Sequence, residues 1–327
     1  MLTPVVVSAP TESFLSKLRQ MRWLLGTAGA VAIVAAVATG VWLVQRGSPS
    51  HSTVIGGSSQ PARIGGPLLR DPRALMLGTR AGDVLLGAAA VPGRVELVVD
   101  PGDTAHVPIG DVRIALRGRS LTPSRCGRAC FAVDAPVLTG SPAAVSVDVR
   151  RSGHRPDVAV IRLPARPPPP AKVTLRTASR RMLAVRTVQV HETLSSGDVA
   201  LRSLFSFAAP DRMSYVTSAG SKAILIGKRR WDWENGRWHE SSDVPIRAPA
   251  YNWAGAGRPR LLGRTVVAGV PASVIAAFRP NESYPAWFRL FVARDGRILR
   301  MEMFAPAHFM VDRYASLNRP VRIEPPR

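Results

Sequence analysis

The sequence predicts a chain of mixed α+β and all-β class, with two β-rich domains behind a single transmembrane helix. Three observations predict it. Residues 23–44 are apolar and uncharged, residues 67–165 contain short alternating segments between turn signals, and residues 172–327 begin with a helical pattern and continue as an antiparallel meander. These patterns are typical of a membrane span, a β-sandwich and a helix followed by a curved sheet.

The composition is strongly basic and apolar enough for folded cores. The 327 residues are 46% hydrophobic and 20% charged, which excludes wholesale disorder. A net charge of +22 suits anionic lipid headgroups or wall polymers as well as nucleic acid. No basic run is interleaved with aromatic residues in the way that RNA-binding segments are, so no nucleic-acid partner is predicted.

Residues 23–44 predict the transmembrane helix. They form an uncharged stretch of 22 residues with Trp23 and Trp42 near its ends, where interfacial aromatic residues are expected. Basic residues directly before it predict that residues 1–22 are cytoplasmic and that the rest of a single-pass plasma membrane protein is extracytoplasmic. A cleaved signal peptide is the alternative, since the small residues at 36–38 resemble a cleavage site.

Two segments divide the remaining chain. Residues 45–66 are rich in Gly, Ser and Pro, and we expect a flexible tether there. Residues 166–171 contain four consecutive prolines and predict a stiff spacer. The domains between and after them are residues 67–165 and residues 172–327.

The first domain is predicted to be an Ig-like β-sandwich. Segments such as RVELVVD at 94–100 and VSVDV at 145–149 alternate as half-buried strands do, and turn signals recur about every 8 to 15 residues. Its two cysteines, Cys126 and Cys130, are predicted to form a disulfide, because an isolated pair outside the cytoplasm usually oxidises. A metal-binding pair and free thiols are the alternatives.

The second domain opens with an amphipathic helical pattern over 171–188 and continues with strands. Asn235-Gly236 and Asp295-Gly296 predict hairpin turns, because these pairs accept positive φ. Pro306 ends the strand at 298–305, and the residues after it predict a turn of helix that brings His308 to the rim of the sheet.

Several segments of the second domain resemble bacterial cell-envelope domains of the lipoprotein-carrier fold. They are SFAAPDRMSY (206–215), AILIGKRRWDW (223–233), Trp238 to Ser241, PAWFRLFV (285–292) and the C-terminal stretch from 303 to 326. The resemblance implies a half-open barrel, curled over a helical lid, whose concave face takes acyl chains. It covers nearly half of the chain.

The first domain has a second resemblance, carried by AGDVLLGAAAVPG (81–93), CGRAC (126–130) and the proline-rich exit. This order is similar to the extracytoplasmic tail of membrane proteins of the copper-resistance protein D type. That family carries a multi-helix membrane unit, whereas a single span is predicted here. The difference argues against copper transport through the membrane.

The carrier resemblance and the apolar pattern together predict a ligand groove for an apolar or lipid-type molecule, or for a lipid-modified partner protein. A structural role for the tryptophans is the alternative, with Trp231 and Trp233 stacking across a hairpin on Trp238. The predicted groove residues are Phe205, Phe207, Trp231, Trp287, Phe288, Leu290, Met301 and Met303.

The stretch MEMFAPAHFM at 301–310 offers a second hypothesis, an accessory role in envelope copper handling. Thioether and imidazole groups are ligands that copper(I) prefers, and the candidate ligands are Met301, Met303, His308 and Met310. Core or cavity lining is the favoured interpretation, because methionine fills irregular apolar space. No cofactor is therefore predicted, with copper as the alternative.

Catalytic motifs are missing from the sequence. There is no G-x-S-x-G elbow, no H-E-x-x-H helix and no dinucleotide-binding glycine pattern, and no catalytic residue is proposed. The sequence thus predicts a non-enzymatic, membrane-anchored binding protein.

Overall fold

The computed structural model of the protein describes residues 66–327 except 83, 101–108, 128, 152–156, 197–198, 281–284 and 307. The predicted cytoplasmic segment and transmembrane helix, and all but the last residue of the predicted tether, lie outside the described residues. The described residues belong to one compact unit.

The described elements are β1 (Leu75–Ala81), β2 (Val84–Val91), β3 (Arg94–Asp100), β4 (Ile109–Leu116), β5 (Arg119–Leu121), β6 (Ser124–Gly127), β7 (Cys130–Asp134), β8 (Ala143–Arg151), β9 (Asp157–Leu163), α1 (Lys172–Leu183), β10 (Thr187–Ser196), β11 (Val199–Ala208), β12 (Arg212–Thr217), β13 (Lys222–Ile226), β14 (Arg229–Glu234), β15 (Arg237–Ser242), β16 (Gly257–Val267), β17 (Val270–Arg279), β18 (Ala286–Ala293), β19 (Ile298–Ala305) and β20 (His308–Ala315). A short 3₁₀ turn at Pro67–Leu69 precedes β1.

The predicted fold class is wrong. The described part of the chain is nearly all β, with α1 as its one α-helix, and not a mixture of α+β and all-β domains. The predicted helical pattern over 171–188 yields a helix of 12 residues. The helix ends at Leu183, and after Ala184 the chain continues into β10. The described residues therefore place one short helix against the sheets.

The predicted single-pass localisation is also corrected. Among the described helices, none combines the length and the apolar character that crossing a bilayer requires. The physical limit is length, since the 12 residues of α1 extend about 18 Å and a hydrocarbon core is about 30 Å thick.

The first nine strands form two sheets that share one core. The five-stranded sheet has the order β1-β2-β3-β7-β6 and the four-stranded sheet the order β5-β4-β8-β9. Leu86 and Leu97 of the first sheet and Ile114, Val147 and Ile161 of the second are buried in a common cluster. The alternation of β9 matches this arrangement, since every second residue is buried.

The five-stranded sheet is apolar on both faces. Seven of the eight residues of β2 are buried, and its even-numbered side chains belong to the sandwich core. Leu85 and Ala89, on the opposite face, pack with Phe278, Trp287 and Phe309 of the large C-terminal sheet. Three β-layers therefore stack, with the five-stranded sheet in the middle.

The C-terminal sheet has 11 strands in the order β15-β14-β13-β12-β11-β10-β20-β19-β18-β17-β16. All pairs are antiparallel, and the edge strands β15 and β16 are not paired with each other, so the sheet is not a closed barrel. The segment predicted as a turn of helix after Pro306 is instead strand β20. Its alternation explains the difference, because Phe309 faces one side and Met310, Asp312 and Tyr314 face the other.

The disulfide between Cys126 and Cys130 is confirmed. It joins β6 to β7 with a Cα–Cα distance of 5.0 Å. Glu96 lies beside the pair, with a carboxylate oxygen within 4.8 Å of both sulfurs. The two sulfurs are bonded to each other, so they offer no thiolate to a metal.

Candidate functional site

The 11-stranded sheet has one face against the sandwich and one face, here called the inner face, beneath α1 and the loop 250–254. Hydrogen bonds join the two parts of this cover and attach it to the sheet, one of them from Arg279 Nη1 of β17 to the Asn252 carbonyl at 3.0 Å. The Tyr251 hydroxyl donates to the Met182 carbonyl of α1 at 3.1 Å, Trp253 Nε1 donates to the Tyr314 hydroxyl at 3.2 Å, and Asn252 Nδ2 donates to a sulfur of β20 at 2.9 Å.

Aromatic packing completes the cover. The rings of Tyr251 and Trp253 stack at 5.2 Å, and Tyr251 meets Tyr314 edge-on at 5.7 Å. Helix α1 turns Ala178 and Met182 toward the protein, both fully buried, while Val173 on its outer side is 74% exposed. The cover is thus one short amphipathic helix and one aromatic loop.

Six of the eight predicted groove residues lie on the inner face. Cross-strand pairing puts Phe288 opposite Met303 and Leu290 opposite Met301. Phe205 and Phe207 belong to the same face, because β11 pairs with β10 and β10 with β20 in a continuous register.

The other two predicted groove residues lie on the opposite face. Trp287 points to the sandwich and is fully buried over the cross-strand pair of Gly78 and Gly87. Trp231 lies under the Arg229 guanidinium at 4.6 Å and donates from Nε1 to Glu240. They do not join the inner-face residues in one groove, because neighbouring residues on a strand point to opposite faces.

The expected tryptophan stacking is found for one pair. Trp233 and Trp238 are direct cross-strand partners with ring centroids 5.2 Å apart in an edge-on arrangement. Trp231 instead pairs with Glu240.

In this state the inner face is closed. Phe207, Phe288, Leu290, Met301 and Met303 are each at most 7% exposed, although they lie on the face that is turned away from the sandwich.

One row of the inner face changes from apolar to polar across seven neighbouring strands. Its members, each paired directly with the next, are Ile275, Leu290, Met301, Asp312, Glu192, Ser203 and Thr217. All seven are buried. At about 4.8 Å between strands, the row is roughly 29 Å long.

Two carboxyl groups form the centre of this row. Glu192 and Asp312 are direct cross-strand partners, 6% and 3% exposed. The Tyr314 hydroxyl donates to Asp312 Oδ2 at 3.2 Å. Glu192 Oε1 and Asp312 Oδ1 are buried and find no hydrogen-bond donor among the described residues.

The electrostatics of this pair follow from burial. Burial, and to a smaller extent the neighbouring charge of Asp312, together raise the pKa of Glu192 to about 8. Burial also raises the pKa of Asp312 to about 7, against the hydrogen bond from Tyr314. Near neutral pH the two carboxyls therefore hold at least one proton between them.

Neither carboxyl was predicted as a site residue from the sequence, although a signal was present. In β10 the alternating positions are Val188, Val190, Glu192 and Leu194, so an acid interrupts an apolar stripe. In β20 Asp312 occupies the corresponding place in its stripe. An acidic residue that shares one face of a strand with buried apolar residues is the sequence pattern that indicates such a site.

The four candidate copper ligands share the inner face. Met303 and Met310 are direct cross-strand partners, and Met301 and His308 follow on the same side of β19 and β20. The Met310 sulfur accepts the hydrogen bond from Asn252, and His308 Nδ1 lies 3.1 Å from the Pro306 carbonyl oxygen.

A separate cleft of about 400 Å³ lies between the sandwich and the large sheet. Leu77, Leu163 and Leu262 provide apolar walls, and Arg162 and Arg289 provide positive charge. The Arg289 guanidinium is paired with Glu302 at 2.9 Å. None of the predicted groove residues lines this cleft.

No protein-family model and no curated protein sequence matches the chain. Two solved structures to which part of it is similar are lipoprotein LppX of Mycobacterium tuberculosis and LprF of Mycobacterium bovis. LppX is 14% identical, covers 46% of this chain and 97% of its own, and gives a TM-score of 0.37. LprF is 12% identical, covers 48% and 96%, and gives a TM-score of 0.35.

Both structures fall within the lipoprotein-carrier resemblance drawn from the sequence. At these TM-scores the functional proposals rest on the geometry of this chain. The Ig-like assignment of the first domain and its copper-resistance resemblance stay predictions.

Proposed function

We propose that this chain is a non-enzymatic binding protein that holds an apolar or lipid-type molecule, or the lipid of a modified partner, against the inner face of its large sheet. The observation that carries the proposal is the cover of that face. One helix of 12 residues and one aromatic loop cover an apolar surface. The neighbouring strands β11, β10, β20, β19 and β18 contribute to that surface.

The apolar surface has the chemistry that such a ligand needs. Phe288 and Leu290 of β18 pair directly with Met303 and Met301 of β19 in two adjacent apolar rows, and burying a large apolar side chain or an equivalent stretch of acyl chain is worth about 1.5–3 kcal/mol. A ligand that replaces the cover would regain much of the burial that is lost when the cover moves. Methionines assist this exchange, since their flexible side chains adapt to different shapes.

Cross-linking the cover to the sheet should abolish binding. An ideal Cβ on Gly296, in the turn between β18 and β19, lies 3.7 Å from Cβ of Arg181 in α1, a separation that suits a disulfide. We expect oxidised Arg181→Cys/Gly296→Cys protein to bind the uncharged dye N-phenyl-1-naphthylamine at least about tenfold more weakly than wild type, by fluorescence titration.

Reductant should restore dye binding in the double variant. Wild type with and without reductant controls for the native disulfide, and Arg181→Cys alone controls for the lost charge. Equal dye affinity of the locked and unlocked forms would contradict a ligand site beneath the cover.

A second candidate function is copper(I) handling, favoured by the direct pairing of Met303 with Met310 on the face that also carries Met301 and His308. Copper(I) binds thioether and imidazole groups. We expect wild type to compete with a copper(I) chelator about tenfold better than Met303→Leu/Met310→Leu, in a titration followed by chelator absorbance. Equal competition by the two proteins would remove the candidate.

A further inference from the structure

The inner-face row places a polar site next to an apolar one. Met301, Leu290 and Ile275 occupy three neighbouring strands and are fully buried, over roughly 10 Å. On the other side of Met301 the row continues with Asp312 and Glu192. An extended amphiphile lying across the strands would meet an apolar surface with its tail and two carboxyl groups with its head.

Each of the two carboxyls has an oxygen atom that accepts no hydrogen bond from the described residues. A buried carboxylate oxygen without a donor is costly, and buried charges in proteins are ordinarily paired. Glu192 Oε1 and Asp312 Oδ1 are both buried and without a donor in the part of the chain that the structure describes. A ligand that donates hydrogen bonds would therefore satisfy these two oxygen atoms.

Within the described residues no positive charge is paired with these carboxyls, although the chain has 44 lysines and arginines against 22 acids. Glu302, the buried glutamate on the opposite face of the same sheet, is paired with Arg289 at 2.9 Å and with Arg300 at 2.6 Å. No described Lys, Arg or His forms an ion pair with Glu192 or Asp312. The contrast indicates a site from which the protein's own cations are kept away.

We propose, resting on the function proposed above, that Glu192 and Asp312 bind the head group of an amphiphilic ligand and that this head group is a primary ammonium. Its three N–H donors would satisfy Glu192 Oε1 and Asp312 Oδ1 and reach one further acceptor, for which the Ser203 hydroxyl is the next group in the row. A carboxylate or phosphate head would be repelled by the pair.

Three ten-carbon probes separate the head group from the tail. Decylamine, decanol and decanoate are titrated below their aggregation concentrations by displacement of N-phenyl-1-naphthylamine at neutral pH. We expect wild type to bind decylamine about 10- to 100-fold more tightly than decanol, the range for hydrogen bonds to charged groups, and decanoate more weakly than decanol.

The variants Glu192→Gln and Asp312→Asn should each reduce the preference for the amine to less than about threefold. Glu302→Gln removes a buried carboxyl from the opposite face of the same sheet and should keep the preference. Two substitutions at the site guard against the misfolding of either one, and the far-ultraviolet circular dichroism of each variant is compared with wild type.

The outcomes are distinguishable. Equal binding of all three probes, or an amine preference that persists in both site variants, overturns the ammonium site and leaves the proposed function standing. Binding of none of the probes, with the dye also excluded, overturns the proposed function itself.

Discussion

Raising the pH from about 5 to about 8.5 is expected to lower the free energy of unfolding by on the order of 6 kcal/mol, through Glu192 and Asp312. Their pKa values rise from 4.5 to about 8 and from 3.8 to about 7 on folding. Between the unfolded and folded values the native state binds more protons than the unfolded chain, so stability falls as the pH rises through that window.

The groups that face this pair do not offset the effect. Tyr314 donates to Asp312, and burial raises the pKa of Tyr314 well above its ordinary value, so it stays neutral in this range. Burial likewise raises the pKa of Tyr251 in the loop above. The residues that α1 turns inward, Ala178 and Met182, do not titrate.

Glu192→Gln should flatten this pH dependence. Urea unfolding followed by tryptophan fluorescence is expected to show a variant that is more stable than wild type at about pH 8.5, because an amide cannot ionise in the buried site. Glu240→Gln is the control, since its pKa is lowered by Arg229 and its contribution lies in the acid range. Parallel curves for wild type and Glu192→Gln would show that Glu192 is not a buried, proton-binding group.

Gly87→Ala is expected to reduce the free energy of unfolding by about 3 kcal/mol, because it overpacks the contact between the sandwich and the large sheet. A Cβ at Gly87 would lie 2.2 Å from Cζ2 of Trp287, a side chain that is fully buried. Neither neighbour can give way easily, since Gly87 is in the middle layer and Trp287 also lies on Gly78.

Gly257→Ala is the matched control for this substitution. It is also a glycine in a strand, but the nearest atom to its ideal Cβ is the Phe278 carbonyl oxygen at 3.9 Å, so a change within about 1 kcal/mol is expected. Both variants are compared by chemical denaturation.

A double-mutant cycle tests the cause. Trp287→Ala alone should cost about 3–5 kcal/mol, and Gly87→Ala should cost little more in that background, because the clashing ring is gone. Full additivity of the two substitutions would contradict a direct steric contact between Gly87 and Trp287.

Local features of the fold were predictable from the sequence. The turns at Asn235-Gly236 and Asp295-Gly296 have the positive φ that these pairs accept, with Asn235 at 51° and Gly236 at 82°. The disulfide followed from the isolated cysteine pair. The alternation of β19 correctly put Met301 and Met303 on one face and Arg300 on the other.

The fold class and part of the candidate groove were not predictable in this way. The strand β20 was taken for a turn of helix, although Met310, Asp312 and Tyr314 alternate along it. Trp231 and Trp287 were predicted to lie in the groove because they are aromatic. Their positions along β14 and β18 put them on the opposite face of the sheet. Glycines within strands, such as Gly78 in β1 and Gly87 in β2, often mark the close approach of another group. Only the tertiary structure shows that this group is the Trp287 side chain.

The sequence by itself determined most of the strands, the two hairpin turns, the short helix and the shared face of Met301 and Met303. The tertiary structure alone decided that β2 is the middle of three layers, that Trp287 fills a space over two glycines, and that Glu192 meets Asp312 beneath the cover. The reason is the range of the forces. Turn residues and the alternation of side chains depend on neighbours along the chain. Burial depends on which distant segments cover a face of the sheet, and the alternation within one strand does not specify those segments.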